Sequence, residues 1–155
     1  MRTYHLVCFQ WDGRDHYCIW FNNHTTGFLV ENRKLIWFAS REELQNYTAK
    51  RDILMSGEEL ELALHRLSDV REVSDAAGCN YFLNIWNMAD DVARSLKLPF
   101  YGKRKSANDI YDRLFWGCNL PAMTPVGEKY IPDWTEFSVL KKVIDESISI
   151  ILNAF

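Results

Sequence analysis

The sequence lacks the short motifs that mark the common catalytic and ligand-binding folds. Its 155 residues contain no nucleophile-elbow, P-loop, dinucleotide-binding, zinc-protease or EF-hand pattern, and these are the patterns whose spacing follows from their chemistry. The four cysteines form no CxxC pair, so neither a zinc site nor a thioredoxin-like motif is expected. The sequence thus predicts no catalytic residues, no cofactor and no metal. A small hydrolase or nuclease with a scattered active site stays open as an alternative.

Long apolar runs and a surplus of positive charge are missing as well. No stretch reaches the about 18 apolar residues that a membrane-spanning helix needs, and residues 1–5 lack the apolar centre of a signal peptide. We therefore expect a soluble, cytoplasmic protein with reduced thiols and no membrane partner. The net charge is −3, which does not favour nucleic-acid binding, because domains with that function usually carry a basic surplus.

Apolar and aromatic side chains, by contrast, are plentiful. They make up 48% and 14% of the residues, and six of the aromatic residues are tryptophans. This is enough to build the core of one domain over residues 1–155. Aromatic side chains also form binding faces, although for any single one of them the core is the favoured interpretation.

The first 39 residues have the pattern of β-strands. Strands are predicted at residues 3–11, 16–21, 28–31 and 34–38. The Asp12-Gly13 pair between the first two is a strong hairpin signal. Both faces of this hairpin are apolar. In a sheet with one solvent-exposed face, apolar and polar residues alternate more regularly along each strand. We therefore expect helices, or a partner such as a second copy of the chain, to cover the second face.

Residues 40–155 have the pattern of helices. Ser40 and Glu43 form a capping box, and Ser56 and Glu59 form a second one. The second box is followed by a leucine stripe typical of a helix of about three turns, at Leu60, Leu64 and Leu67. Further helices are predicted to start near Asn80, Ser106 and Asp133. The predicted fold is α+β, with an N-terminal antiparallel sheet of about four strands packed against a C-terminal bundle of about four to five helices.

The histidines and cysteines of the hairpin offer no convincing site. His5 and His16 lie on neighbouring strands and could approach each other, but only Cys8 or Cys18 could complete a metal site there. Zinc sites usually show closer ligand spacing. We therefore interpret these residues as half-exposed strand histidines and structural cysteines.

Charge is distributed unevenly along the chain. The candidate partner-binding residues lie in an acidic segment, at Glu58, Glu59, Glu61, Asp69, Glu72 and Asp75. A basic segment follows, at Arg94, Lys97, Lys103, Arg104 and Lys105. The acidic segment suits a basic protein partner, and the basic segment keeps a nucleic-acid-binding regulator open as an alternative. Asp90 and Asp91 project about 100° apart on their helix, which predicts a solvated face rather than an acid–base pair.

One stretch resembles a known group of proteins. It reads Tyr111-Asp112-Arg113-Leu114-Phe115-Trp116-Gly117-Cys118-Asn119-Leu120-Pro121-Ala122-Met123-Thr124-Pro125, followed by Gly127-Glu128 and Tyr130-Ile131-Pro132-Asp133-Trp134. This stretch is similar to segments of small bacterial immunity proteins, the antidotes paired with contact-dependent growth-inhibition and related polymorphic toxins. It carries no catalytic signature.

The resemblance implies an inhibitor rather than an enzyme. Such a protein binds one cognate toxin domain, often a nuclease, and covers its active site or substrate surface. The acidic segment fits a basic toxin domain, because opposite charges speed the encounter of two proteins and help to set specificity.

Overall fold

The chain folds as α+β, as predicted. The computed structural model describes residues 1–67, 73–125, 127–135 and 137–155. The strands are β1 (Thr3–Trp11), β2 (Arg14–Asn22), β3 (Thr26–Phe28), β4 (Val30–Glu31), β5 (Lys34–Leu35), β6 (Trp37–Phe38) and β7 (Met55–Ala63). The α-helices are α1 (Arg41–Ala49), α2 (Ala76–Leu96), α3 (Asn108–Gly117) and α4 (Phe137–Asn153). No helix in these ranges is long and apolar enough to cross a membrane.

The residues group into two compact units. The first contains Met1–Leu64, Asp91–Pro99 and Ile150–Phe155, and the second contains His65–Asp90 and Phe100–Ser149. Helices α2 and α4 each contribute to both units. The single domain expected over residues 1–155 stays a prediction.

The sheet of the first unit is built on the predicted hairpin. β1 and β2 pair antiparallel along their whole length, from Thr3 opposite Asn22 to Trp11 opposite Arg14. The turn between them places Asp12 at φ 52° and Gly13 at φ 68°, the left-handed region that two-residue hairpin turns require. The strand order is β3-β2-β1-β7, with β6 also paired to β2 and with β7 parallel to β1. A separate two-stranded ribbon joins β4 to β5.

The helix predicted from Ser56 is wrong, because these residues form the strand β7. The Ser56 hydroxyl accepts a hydrogen bond from the backbone N–H of Glu58, at 3.3 Å. In a capping box it would accept one from the N–H of Glu59, three residues after the serine. Leu62 and Leu64 are both buried, which is the two-residue period of a strand. Pairing with the apolar strand β1 therefore overrides the local helix signal, and the division into strands before residue 40 and helices after it is only roughly correct.

Residues of the first unit from outside the sheet pack on both of its faces. On one face, Leu6 and Ile19 pack in a buried cluster with Leu44 of α1. On the other face, Phe9 is fully buried and its ring meets that of Phe155, just beyond α4, with centroids 6.1 Å apart. A side chain of the same chain thus covers part of the second face, and a homodimer through this sheet stays a prediction.

The second unit is helical, and its core follows the predicted stripes. Buried side chains come from three helices: Phe82, Ile85, Ala89, Ile110, Leu114, Leu140, Ile144 and Ile148. Helix starts differ from prediction by a few residues. α2 begins at Ala76 instead of Asn80, because the Asp75 carboxylate accepts a hydrogen bond from the N–H of Gly78, at 2.6 Å, as an N-cap residue does. α3 starts at Asn108 and α4 at Phe137.

The cap of α1 gives a first testable prediction. The Ser40 hydroxyl accepts a hydrogen bond from the N–H of Glu43, at 3.2 Å, and the Glu43 carboxylate accepts one from the N–H of Ala39, at 3.0 Å. We expect Ser40→Ala to lower the free energy of unfolding by about 1 kcal/mol, because a helix N–H loses its acceptor. Urea denaturation measures this change. Ser40→Asp restores the acceptor and should unfold like the wild type, and equal losses in both variants would contradict the role of the cap.

Candidate functional site

Three of the predicted acidic residues lie on β7, at one edge of the sheet. We call Glu58, Glu59 and Glu61 the acidic edge. Among the described strands, β7 pairs only with β1, so these carboxylates lie where the sheet ends. The Glu58 side chain is 87% exposed. Glu59 and Glu61 share the guanidinium of Arg41, and the hydrogen bond that Arg41 donates to Glu59 raises the pKa of Arg41.

The structure does not bring all six predicted acidic residues together. Asp69 and Glu72 lie outside the described residues. Asp75 caps α2 in the second unit, which gives it a structural role. Glu58 lies on the opposite face of β7 from Glu59 and reaches towards the Nδ1 atom of His5, at 3.5 Å. The structure therefore brings Glu59 and Glu61 together beside Arg41, and it places Glu58 on the same edge strand but on its other face.

Several residues of the basic segment make contacts within the chain. Arg94 forms an ion pair with the buried carboxylate of Asp91, at 2.9 Å. Lys103 forms one with Asp90, at 2.8 Å, and the Arg104 guanidinium lies over the ring of Tyr101. The expectation that Asp90 and Asp91 form a solvated face is thus wrong for Asp91, which the sheet of the first unit buries.

The cysteines lie in environments that keep their thiols protonated. All four are buried. Burial raises the pKa of Cys8 and of Cys79 to about 11 each, and it also raises the pKa of Cys18 and of Cys118. Because the thiolate is the reactive form of cysteine, these side chains react slowly at neutral pH. This agrees with the interpretation of structural cysteines.

The two hairpin histidines are held by different contacts. The Nδ1 atom of His5 lies 2.7 Å from the hydroxyl of Ser56. The ring of His16 stacks on Phe155 with centroids 4.5 Å apart, and its Nδ1 is buried without a hydrogen-bond partner in the part of the chain that is described. No cluster of three possible metal ligands occurs among the same residues.

The most conspicuous exposed surface lies between α3 and α4, and sequence reasoning did not identify it as a site. We call it the apolar loop surface. Its large exposed side chains are Trp116, Leu120, Met123, Tyr130, Ile131 and Phe137. These side chains lie close together in the sequence, and exposed apolar groups that form one patch commonly mark places where another protein binds. Their signal in the sequence is a proline-rich stretch with many large apolar residues and no helical period. The sequence pattern is equally compatible with Trp116 as a core residue. In the structure, however, its exposed fraction is 44%.

Polar contacts anchor the backbone beneath the apolar loop surface. The Asn119 amide accepts a hydrogen bond from the N–H of Tyr130, at 2.8 Å, and donates one to the carbonyl of Tyr130, at 2.9 Å. A Cβ atom at Gly117 would lie 2.4 Å from the sulfur of Cys79 and 2.9 Å from Pro132, so only glycine allows this close packing. These contacts hold the backbone at Tyr130 and Pro132 next to the end of α3.

Comparison with known proteins assigns no family to the chain. No family model matches it, and no curated protein and no solved structure matches it either. Function must therefore be inferred from the surfaces that the chain itself presents, of which the acidic edge and the apolar loop surface are the two candidates for protein binding.

Proposed function

We propose that this chain is an immunity protein, which binds a cognate bacterial toxin domain and covers its active site or substrate surface. The observation that carries the proposal is the anchored apolar loop surface. Interface hot spots are enriched in tryptophan and tyrosine, and Trp116 and Tyr130 are both exposed here. Because Asn119 already holds the backbone of Tyr130, less conformational entropy is lost at that residue when a partner binds.

The position of this surface in the sequence adds support. The apolar loop surface lies almost entirely within residues 111–134, the stretch that resembles segments of bacterial immunity proteins. An exposed surface with no catalytic group in a segment of this kind suits an inhibitor better than an enzyme. The resemblance and the exposure are separate observations that favour the same function.

The acidic edge supports a basic partner. A toxin that acts on nucleic acid carries positive charge where it contacts phosphates. Exposed carboxylates on the inhibitor attract such a surface, which accelerates association and disfavours wrong partners. The acidic edge retains negative charge after the pairing with Arg41, since Glu59 and Glu61 share that one guanidinium and the Glu58 carboxylate is largely exposed.

Co-expression tests the proposal directly. A large protein encoded directly upstream of this chain would be the first candidate, with the toxin as its C-terminal domain. We expect that domain to arrest bacterial growth when it is expressed alone, and we expect this chain to restore growth and to co-purify with it as a one-to-one complex. A growth arrest that persists although both proteins are produced and folded would refute the proposed pairing.

Reversing charge at the acidic edge should slow association with that toxin domain. We expect a variant with Glu58→Lys and Glu61→Lys to associate about tenfold more slowly at low salt, with the difference shrinking as salt screens the charges. Stopped-flow or surface-based kinetics over a salt series measures this rate.

A variant with Glu31→Lys and Glu42→Lys is the matched control for charge reversal. It changes the net charge equally in the first unit, and both residues are exposed and lie outside the acidic edge. Equal slowing in the two variants would mean that only net charge matters, and the acidic edge would then have no specific role in the interface.

A further inference from the structure

A polar pocket of about 230 Å³ lies within the second unit. Its walls come from α2, from the short 3₁₀ helix Tyr101–Lys103 and from α3. The lining residues are Trp86, Asn87, Asp90, Gly102, Lys103, Asn108 and Tyr111. The pocket is smaller than the roughly 300–1,000 Å³ typical of sites for drug-sized ligands, so it suits a ligand with a single ring.

The charges in the pocket cancel. Asp90 and Lys103 form an ion pair with 2.8 Å between the Oδ2 and Nζ atoms. The other polar side chains that line the pocket are the neutral groups of Asn87, Asn108 and Tyr111. A charged ligand would have to compete with the existing ion pair for its counter-charge. The electrostatics therefore favour a neutral ligand.

The pocket lining contains both hydrogen-bond donors and hydrogen-bond acceptors. The Tyr111 hydroxyl donates to the Oδ1 atom of Asn87, at 3.0 Å, and this orients the Asn87 amide so that its N–H₂ group serves as the donor. Asn108 offers both a donor and an acceptor, and the ammonium of Lys103 has three donors. Hydroxyl groups both donate and accept, so a ligand that carries several of them matches this lining best.

The indole of Trp86 offers little open face to the pocket for stacking. Trp86 is only 2% exposed, and its ring makes edge contacts with Phe100 and Tyr111 at centroid distances of 6.4 and 5.4 Å. A Cβ atom at Gly102 would lie 2.7 Å from the Trp86 indole nitrogen, so the backbone itself approaches that ring. A flat nucleobase gains much of its affinity from stacking on aromatic rings and would lack the contribution of the tryptophan here.

From this geometry we propose that the second unit binds a small neutral polyol, of the size of one sugar ring, in the pocket between α2 and α3. Asn87, Asn108 and Lys103 donate hydrogen bonds to its hydroxyl groups, and Asp90 and Tyr111 accept them. None of the lining residues belongs to the acidic edge or the apolar loop surface, so this site stands or falls separately from the proposed immunity function.

A titration of the full chain followed by ¹H–¹⁵N NMR tests the proposal. The probes are methyl glucoside, myo-inositol, adenosine and inorganic phosphate. We expect one of the two polyols to cause saturable shifts at the Trp86 indole N–H and the Asn87 amide, with dissociation constants in the millimolar range. We expect Asn87→Leu to weaken this binding about tenfold, as the loss of one hydrogen bond does, whereas Asn84→Leu on the same helix should bind normally.

Lys103→Met is a second variant that does not depend on a buried side chain, since Lys103 is exposed, and Lys105→Met is its matched control. Lys103→Met should weaken polyol binding while Lys105→Met leaves it unchanged. The proposal is overturned if neither polyol binds at tens of millimolar, if adenosine or phosphate binds in preference, or if the pocket variants bind as tightly as their controls.

Discussion

Replacing Asp91 with alanine is expected to lower the free energy of unfolding by about 3 kcal/mol, the scale on which removing one partner of a buried charged pair acts. Asp91 is 5% exposed. Its carboxylate accepts hydrogen bonds from the indole of Trp20, at 2.7 Å, and from the hydroxyl of Thr26, at 2.6 Å. It also accepts one from Arg94, at 2.9 Å. Alanine deprives three donors of their shared acceptor at once.

Urea denaturation followed by tryptophan fluorescence measures this loss, and Trp20 itself reports on the site. Asp112→Ala is the matched control, because this carboxylate is exposed on α3 and its removal should change the unfolding free energy by less than about 0.5 kcal/mol. Asp91→Asn keeps one acceptor oxygen and should fall between the two. A loss for Asp91→Ala no larger than that for Asp112→Ala would show that the buried carboxylate contributes nothing to stability.

The sequence did not reveal this buried carboxylate. On a helix, neighbouring residues project about 100° apart, so Asp90 and Asp91 read as one polar face. They lie in different environments because strands of the sheet contact Asp91. β2 and β3 meet the end of α2 through Trp20 and Thr26, and no local pattern encodes that meeting. Ser95 adds to the same contact by accepting a hydrogen bond from the N–H of Phe28, at 2.8 Å.

Features with a local cause were predictable. The Asp12-Gly13 turn needs positive φ values that these two residue types tolerate, and it sets the register of the whole hairpin. The Ser40 cap of α1 depends on residues within one helical turn. The apolar period of α2 is long enough to predict a helix with a buried stripe, although its first turn, at Ala76, was missed.

Strand β7 was not predictable in the same way, because two local patterns compete there. Ser56 and Glu59 imitate a capping box, and Leu60, Leu64 and Leu67 imitate a helical stripe, while Leu60, Leu62 and Leu64 fit a strand equally well. Pairing with the apolar strand β1, about 50 residues earlier in the chain, decides in favour of a strand. That choice also changes the candidate site, because it moves Glu58, Glu59 and Glu61 from a helix face to a sheet edge.

The apolar loop surface leads to the second large expected effect, on toxin binding. We expect Trp116→Ala and Tyr130→Ala each to weaken binding of the cognate toxin domain by about 30-fold or more, which corresponds to the 2 kcal/mol that defines a hot spot. Each side chain is exposed in the free protein, so its truncation removes contact area without opening a cavity in the core. Isothermal titration calorimetry with the purified toxin domain measures the affinity.

Trp37→Ala is the matched control, since Trp37 is 42% exposed and Trp116 is 44% exposed, but Trp37 lies on β6 of the first unit. Thermal unfolding of every variant separates a binding defect from a folding defect. The kinetics should also differ from those of charge reversal, because losing a central contact speeds dissociation, whereas losing charge at the acidic edge slows association. Normal dissociation rates in both loop variants would place the interface elsewhere, and an equal loss in Trp37→Ala would remove the apolar loop surface as the reason for binding.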